Sequence, residues 1–173
     1  LVEIMLESGL PPEVIQLVHG VGETTGAAIV QHPDVPLVSF TGSSRVGAQI
    51  KAASGLRRVA LELGGNGTTI VHSDADVAEA ATLCARNSMR LAGQSCISVQ
   101  NVMVHENVHD AFLERMVAEV KTLRVGDPLD PTTDVGTLID EAAAKRVEQW
   151  VAEALAQGAR ALTGGKRRGA QFE

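Results

Sequence analysis

Val35-Pro36-Leu37-Val38-Ser39-Phe40-Thr41-Gly42-Ser43-Ser44-Arg45-Val46-Gly47 changes character in its middle. Val35 to Phe40 is an apolar run of strand length, and Thr41-Gly42 ends it. Ser43 is a good N-cap for a helix running to about Ser54. Arg58 to Leu63 then reads as a second strand. Strand, short Gly-containing loop, helix and strand together make one unit of a parallel sheet.

The alternation continues in both directions. Upstream, Leu1, Ile4 and Met5 have helical spacing, closed by Gly9 and Pro11-Pro12. Val14 to His19 is rich in apolar and β-branched residues and predicts a strand. Gly20 to Gly26 is Gly-rich, and a helix over about 23–31 follows. Downstream, Thr68 to His72 predicts a strand, and Asp74 caps a helix to about residue 90 with Val77, Ala81, Cys84 and Ser88 on one face. Ile97 to Val104 predicts a strand. Glu106 to Lys121 predicts an amphipathic helix with Phe112, Met116 and Val120 inward. After a loop over 126–137, Asp140 caps a last helix carrying Val147, Trp150, Val151 and Leu155, which Gly158 ends. The expectation is an α/β fold, with largely parallel sheets flanked by helices.

Composition bounds the function. The chain has 173 residues, 45% hydrophobic and 21% charged, with a formal net charge of −6. That is ordinary globular composition. No apolar run approaches the roughly 18–20 residues of a membrane helix, so no membrane partner is expected. An acidic chain with 2% aromatics and no Tyr has neither the basic footprint nor the stacking platform of a nucleic-acid binder. Two cysteines, Cys84 and Cys96, do not make a disulfide framework. A cytoplasmic setting is the default for such a chain. It starts at Leu1 and stops after a Gly-rich turn, which reads as a piece of a longer protein.

In sheets of this kind ligands sit at the carboxyl ends of strands. Three stretches fall there, and the loop that leads to Cys96 is a fourth candidate. Gly20-Val21-Gly22-Glu23-Thr24-Thr25-Gly26 follows the expected strand and opens a helix like a dinucleotide fingerprint, but as GxGxxxG it is one residue too long. It reads equally as a helix-entry turn with a close helix–strand contact at Gly26. Gly42 and Ser43 precede a helix N-terminus, which can hold a phosphate, although capping alone explains Ser43. Glu62 ends an apolar strand, where a partly desolvated carboxylate has the raised pKa of a general base. Its alternative is an ordinary solvated strand-end Glu. The Gly64-Gly65 pair after it suggests a sharp turn that leaves room for something to pass. Cys96 lies in a polar loop, Gly93-Gln94-Ser95-Cys96-Ile97-Ser98, and is either a nucleophile or an inert thiol. Cys84, on an apolar helix face, reads as a small core residue. His19, His32, His72, His105 and His109 show no metal spacing, so no metal is expected.

Phe40-Thr41-Gly42-Ser43, Glu62-Leu63-Gly64-Gly65-Asn66 and Gly93-Gln94-Ser95-Cys96 occur in that order, with 34 positions from Glu62 to Cys96. This combination resembles the aldehyde dehydrogenase superfamily, and the resemblance runs through nearly the whole chain. It implies a Rossmann-like fold, incomplete here. Residues 1–64 would be the C-terminal part of an NAD(P)-binding domain and 65–173 the N-terminal part of the catalytic domain. It implies that Cys96 is the nucleophile and Glu62 the general base. Ser43 would meet the cofactor pyrophosphate beside Gly42, Gly22 and Ala27 would line the adenine side, and Val46 would pack near the adenine. Leu63 and Gly64 would lie near the nicotinamide.

The implied reaction is oxidation of a small aldehyde to the acid with NAD or NADP, through a thiohemiacetal and a thioester on Cys96 that Glu62-activated water hydrolyses. The resemblance also admits an acylating enzyme that passes the thioester to coenzyme A, and an isolated piece with no activity. It implies a parent that is a homodimer or homotetramer, with the ribose-binding residues and the oxyanion Asn outside this chain. One departure is Thr68, where many members have Pro. The stretch from Cys96 to Gln100 looks like branches acting on hydroxy- or phospho-substituted aldehydes such as lactaldehyde.

Overall fold

A computed structural model describes residues 1–172. The chain forms two compact units, the first ending at Leu63 and the second beginning at Gly64.

In the first unit a short helix α1 (Val2–Glu7) buries no residue. A wide turn over Gly22–Gly26 runs directly into α2 (Ala27–Gln31). Strand β1 (Leu37–Thr41), helix α3 (Ser44–Ser54) and strand β2 (Arg58–Glu62) follow. β1 and β2 pair in parallel from Leu37↔Arg58 to Thr41↔Glu62. The alternation is plain: Val38 and Phe40 of β1 and Val59 and Leu61 of β2 are covered, whereas Leu37, Ser39 and Ala60 are exposed. One face of the pair is therefore packed, with α3 crossing between the strands. Ser43 caps α3 as its sequence suggests, its Oγ accepting from the Val46 N–H at 3.3 Å.

The expected strand over Val14 to His19 does not form. Those residues are turn and irregular chain, with Val14 69%, Leu17 60% and Val18 62% exposed. A β-branched run becomes a strand only where a neighbour accepts its hydrogen bonds, and among the described residues none does. The dinucleotide-fingerprint reading of Gly20 to Gly26 thereby loses its strand. The anticipated close contact at Gly26 is also absent, since a Cβ there would meet nothing within 4 Å. The close approach is instead at Gly20, where a Cβ would overlap the Thr25 side chain.

The second unit opens with β3 (Thr68–Val71), continues through α4 (Val77–Met89) and a tight turn over Arg90–Gly93, and reaches β4 (Asn101–Val104). β3 and β4 pair in parallel, Thr68↔Asn101 to Val71↔Val104. β4 is shorter than the expected 97–104 because the chain is still turning at Ser98, whose N–H donates to the Ser95 carbonyl at 3.1 Å. A single turn over Glu106–Val108 leads into α5 (His109–Thr122).

Val71, Ala81, Cys84 and Phe112 form the core of this unit, with Val102, Val104, Val108 and Met116 packed against it. Helix α4 is capped by Asp76, not by Asp74: the Asp76 carboxylate accepts from the Glu79 N–H at 3.0 Å. Helix α6 (Glu141–Ala156) is capped by Asp140, accepting from Ala143 N–H at 2.6 Å. It buries Ala143 and Ala144 with Leu138 in a second cluster, joined by Ala92, Val147 and Phe172. Trp150 lies off that face, 58% exposed. A two-residue antiparallel pair, β5 (Arg167–Arg168) and β6 (Gln171–Phe172), closes the described chain. Arg167 ties it to α6 through Glu148 at 2.7 Å and Glu141 at 3.3 Å. Among the described residues no helix is long and apolar enough to cross a membrane.

Candidate functional site

In the first unit the parallel pairing sets the geometry. Both strands run the same way, so the Thr41-Gly42-Ser43 loop and Glu62 emerge at the same, carboxyl end. The Gly42 N–H donates to the Glu62 carbonyl at 3.0 Å and locks the two exits together. The Leu63 side chain lies over Gly47 of α3. Glu62 itself is exposed. The described residues leave it open to solvent, unlike the partly covered position expected from its strand end.

Gly22, Ala27 and Val46 meet in one groove of about 530 Å³, whose walls also include Gly26, Val38, Phe40 and Ile50. Three residues dispersed over 25 positions of sequence thus share one concave, mostly apolar surface. Ser43 and Gly42 lie outside its lining, at the N-terminus of α3.

In the second unit Cys96 is exposed and Cys84 is buried. Burial pushes the Cys84 thiol above its ordinary value. The chain reaches Cys96 through an unusual path: Leu91, Ala92 and Gly93 have φ of 53°, 54° and 74°. Two consecutive non-glycine residues in the left-handed region cost about 1–2 kcal/mol each. Beyond this turn the Cys96 N–H has no acceptor among the described residues. Gly65 abuts the same residue from the other side. A Cβ at Gly65 would overlap the Cys96 carbonyl oxygen, so the room at Gly65 is taken by the Cys96 backbone. Gly64, next to it, is exposed with open space around it.

One polar side chain makes contacts that the sequence does not signal. The Gln94 carboxamide donates to the Leu91 and Thr137 carbonyls at 3.0 and 3.3 Å and accepts from the Ile139 N–H at 2.8 Å. Gln94 stands in the quoted motif, but nothing in its neighbourhood announces a partner more than 40 positions away. Of the other groove residues, Val38, Phe40 and Ile50 look like ordinary core positions in sequence.

The whole chain, residues 1–173, matches the sequence model of the aldehyde dehydrogenase family. It is 46% identical over 172 residues to 3-sulfolactaldehyde dehydrogenase of Priestia aryabhattai, covering 99% of this chain and 36% of that protein. It is 44% identical over 163 residues to lactaldehyde dehydrogenase of Methanocaldococcus jannaschii, covering 94% of this chain and 35% of that protein. Among solved structures, glyceraldehyde-3-phosphate dehydrogenase of Methanocaldococcus jannaschii, complexed with NADP, superposes with a TM-score of 0.92 at 42% identity, covering 98% of this chain and 37% of that one. An NAD-dependent aldehyde dehydrogenase of Sinorhizobium meliloti gives a TM-score of 0.92 at 39% identity, with 96% and 34% covered. The chain spans about a third of the length of these relatives. The match over every residue, and the parallel strand–helix architecture shared with the solved structures, place this chain in the aldehyde dehydrogenase family.

Proposed function

We propose that this chain supplies the nucleophile, the general base and part of the dinucleotide site of an NAD- or NADP-dependent aldehyde dehydrogenase that makes carboxylic acids. Cys96 carries the proposal. Its thiol is exposed, its own N–H has no acceptor among the described residues, and a left-handed turn delivers it, while the other cysteine is sealed in a core.

On this reading the Cys96 thiolate adds to the aldehyde carbonyl, and the Cys96 N–H donates to the oxyanion that forms. NAD or NADP held by these residues would supply the acceptor for the hydride of this carbon. Glu62 takes a proton from the water that cleaves the resulting thioester, which releases the acid and restores the thiol. The groove of about 530 Å³ suits a flat adenine, with Gly22 and Ala27 leaving room on one wall and Val46 offering an apolar contact. Gly42 and Ser43 at the α3 N-terminus suit the pyrophosphate, and Leu63 and Gly64 the nicotinamide end. Residues 1–64 are then the cofactor part and 65–173 the thiol part of the longer protein. The substrate we favour is a short aldehyde carrying a hydroxyl or an anionic group. The relatives named for sulfolactaldehyde and lactaldehyde support that class.

The test is alkylation of the two cysteines by iodoacetamide, followed by peptide mass spectrometry with and without NAD or NADP. Cys96 is expected to react at least about tenfold faster than buried Cys84, and dinucleotide to change its rate alone. Equal rates for both thiols, unaffected by dinucleotide, would remove the assignment of a formed site to this chain.

A further inference from the structure

We infer that Gln94 is the positioning residue of the Cys96 turn, holding the thiol-bearing backbone against a fixed part of the core through its side-chain amide. The inference rests on the reading of Cys96 as nucleophile. Three features meet at this side chain. First, a carboxamide offers two donors and two acceptor sites, and Gln94 uses three of these four. Its Nε2 donates to the Leu91 and Thr137 carbonyls, and its Oε1 accepts from the Ile139 N–H at 2.8 Å. The Gln94 backbone N–H adds a fourth bond to the same Leu91 carbonyl at 3.1 Å.

Second, the bonded segment does not move freely. Leu138, between the two bonded residues, is 7% exposed and packs with Ala143 and Ala144 of α6. The Leu138 N–H is itself held by the Ala170 carbonyl at 2.9 Å. Ala92, from the turn, packs on the same cluster. The turn is therefore pinned to one end of α6 by both an amide and a methyl group.

Third, the turn needs pinning. Leu91 and Ala92 adopt a conformation that L-residues seldom hold without outside support. Freed of Gln94, they relax toward ordinary φ and carry Gly93 to Cys96 with them. Gly65 blocks displacement from one side, since its hydrogen in place of Cβ fits directly against the Cys96 carbonyl. Gln94 closes the other constraint. The Cys96 N–H, the proposed oxyanion donor, is aimed by the pair. Catalytic donors must be held within a fraction of an ångström to be effective, so the anchor is a functional element.

The test uses the 173-residue chain and its variants Gln94→Ala and Gln94→Glu. Amide hydrogen exchange at Ile139 is read by NMR, and iodoacetamide alkylation of Cys96 and Cys84 by mass spectrometry. Gln94→Ala should speed exchange at Ile139 at least about tenfold and slow Cys96 alkylation at least about threefold. Cys84 and the α4 and α5 amides should stay unchanged, which separates lost positioning from lost fold. Gln94→Glu keeps the acceptor for Ile139 and should keep that amide protected. If Gln94→Ala fails to fold, protection of Ile139 in Gln94→Glu supports the anchor, and its loss overturns it. Unchanged Ile139 exchange in a folded Gln94→Ala chain also overturns it. Faster Ile139 exchange with an unaltered Cys96 rate would show an anchor that does not position the thiol, and would overturn the inference as well. The Ile139 readout needs no dinucleotide, so an indifferent Cys96 in the NAD experiment would defeat the functional reading and leave this one separately decided.

Discussion

Leu91 is 61% exposed and sits at φ 53°. It has little packing to lose and a backbone strain to relieve. Replacing it by glycine, which visits that region freely, sets a strain of about 1–2 kcal/mol against a glycine entropy cost of about 0.5–1. Leu91→Gly is therefore expected to stabilise the chain by about 0.5–1 kcal/mol in urea unfolding. A loss of stability would mean that the turn is not strained.

The buried thiol gives the other prediction at this scale. Burial raises the Cys84 pKa, so the folded state resists ionisation that the unfolded chain accepts. Its contribution is fully present below the ordinary thiol value of about 8.5 and is lost as pH rises through the higher folded value. Stability should fall on the alkaline side of about pH 8.5. Cys84→Ala, measured by urea unfolding at pH 7 and 10, should flatten that fall. An identical slope in the variant would place the alkaline sensitivity elsewhere.

At the scale of the element, the caps decide where helices begin. α6 starts at Asp140, whose carboxylate accepts from the Ala143 N–H at 2.6 Å, and the buried Ala143 and Ala144 follow at once. Asp140→Ala should cost about 1 kcal/mol in urea unfolding, and Asp140→Asn should recover most of it. The same reasoning explains the α4 start. Asp74 and Asp76 both look like caps in sequence, and the helix takes the one whose carboxylate reaches an N–H three residues on. Asp74 instead bonds the His72 ring at 3.0 Å, which holds its carboxyl below the usual range. Strand length follows from the partner. β3 offers four residues, Thr68–Val71, and β4 is four residues long although the strand expected from its sequence, Ile97 to Val104, is longer.

At the scale of the whole molecule the two units are unequal. The first buries only Val30 and Val38 among its described hydrophobic side chains, whereas the second has two clusters with Phe112, Val71 and Leu138 at their centres. A unit of roughly 60 residues is marginal even with a full core. Amides of β1, β2 and α3 are accordingly expected to exchange faster than those of α4 and α5, by about tenfold or more, in hydrogen-exchange mass spectrometry. Equal protection in both units would show that the first is stabilised by more than its own packing. Leu1, Ile4, Val14, Leu17 and Val18, all 60% exposed or more, are apolar surface without cover among the described residues.

Much of this was legible in the sequence. The α/β alternation, the Ser43 and Asp140 caps, the inward faces of α4 and α5, and the placing of Cys84 on a core face all rest on short-range facts. Side-chain period, capping geometry and glycine placement act within a few residues, so one sequence carries them. The order Gly42-Ser43, Glu62, Gly93-Gln94-Ser95-Cys96 carries the aldehyde dehydrogenase family by resemblance of its motifs. The tertiary structure alone decided the rest. It left Val14 to His19 without a partner, gathered Gly22, Ala27 and Val46 into one groove, brought Gly65 against Cys96 and tied Gln94 to Thr137 and Ile139. Hydrogen-bond ladders and close packing join residues tens of positions apart, and no local pattern records which partner will arrive.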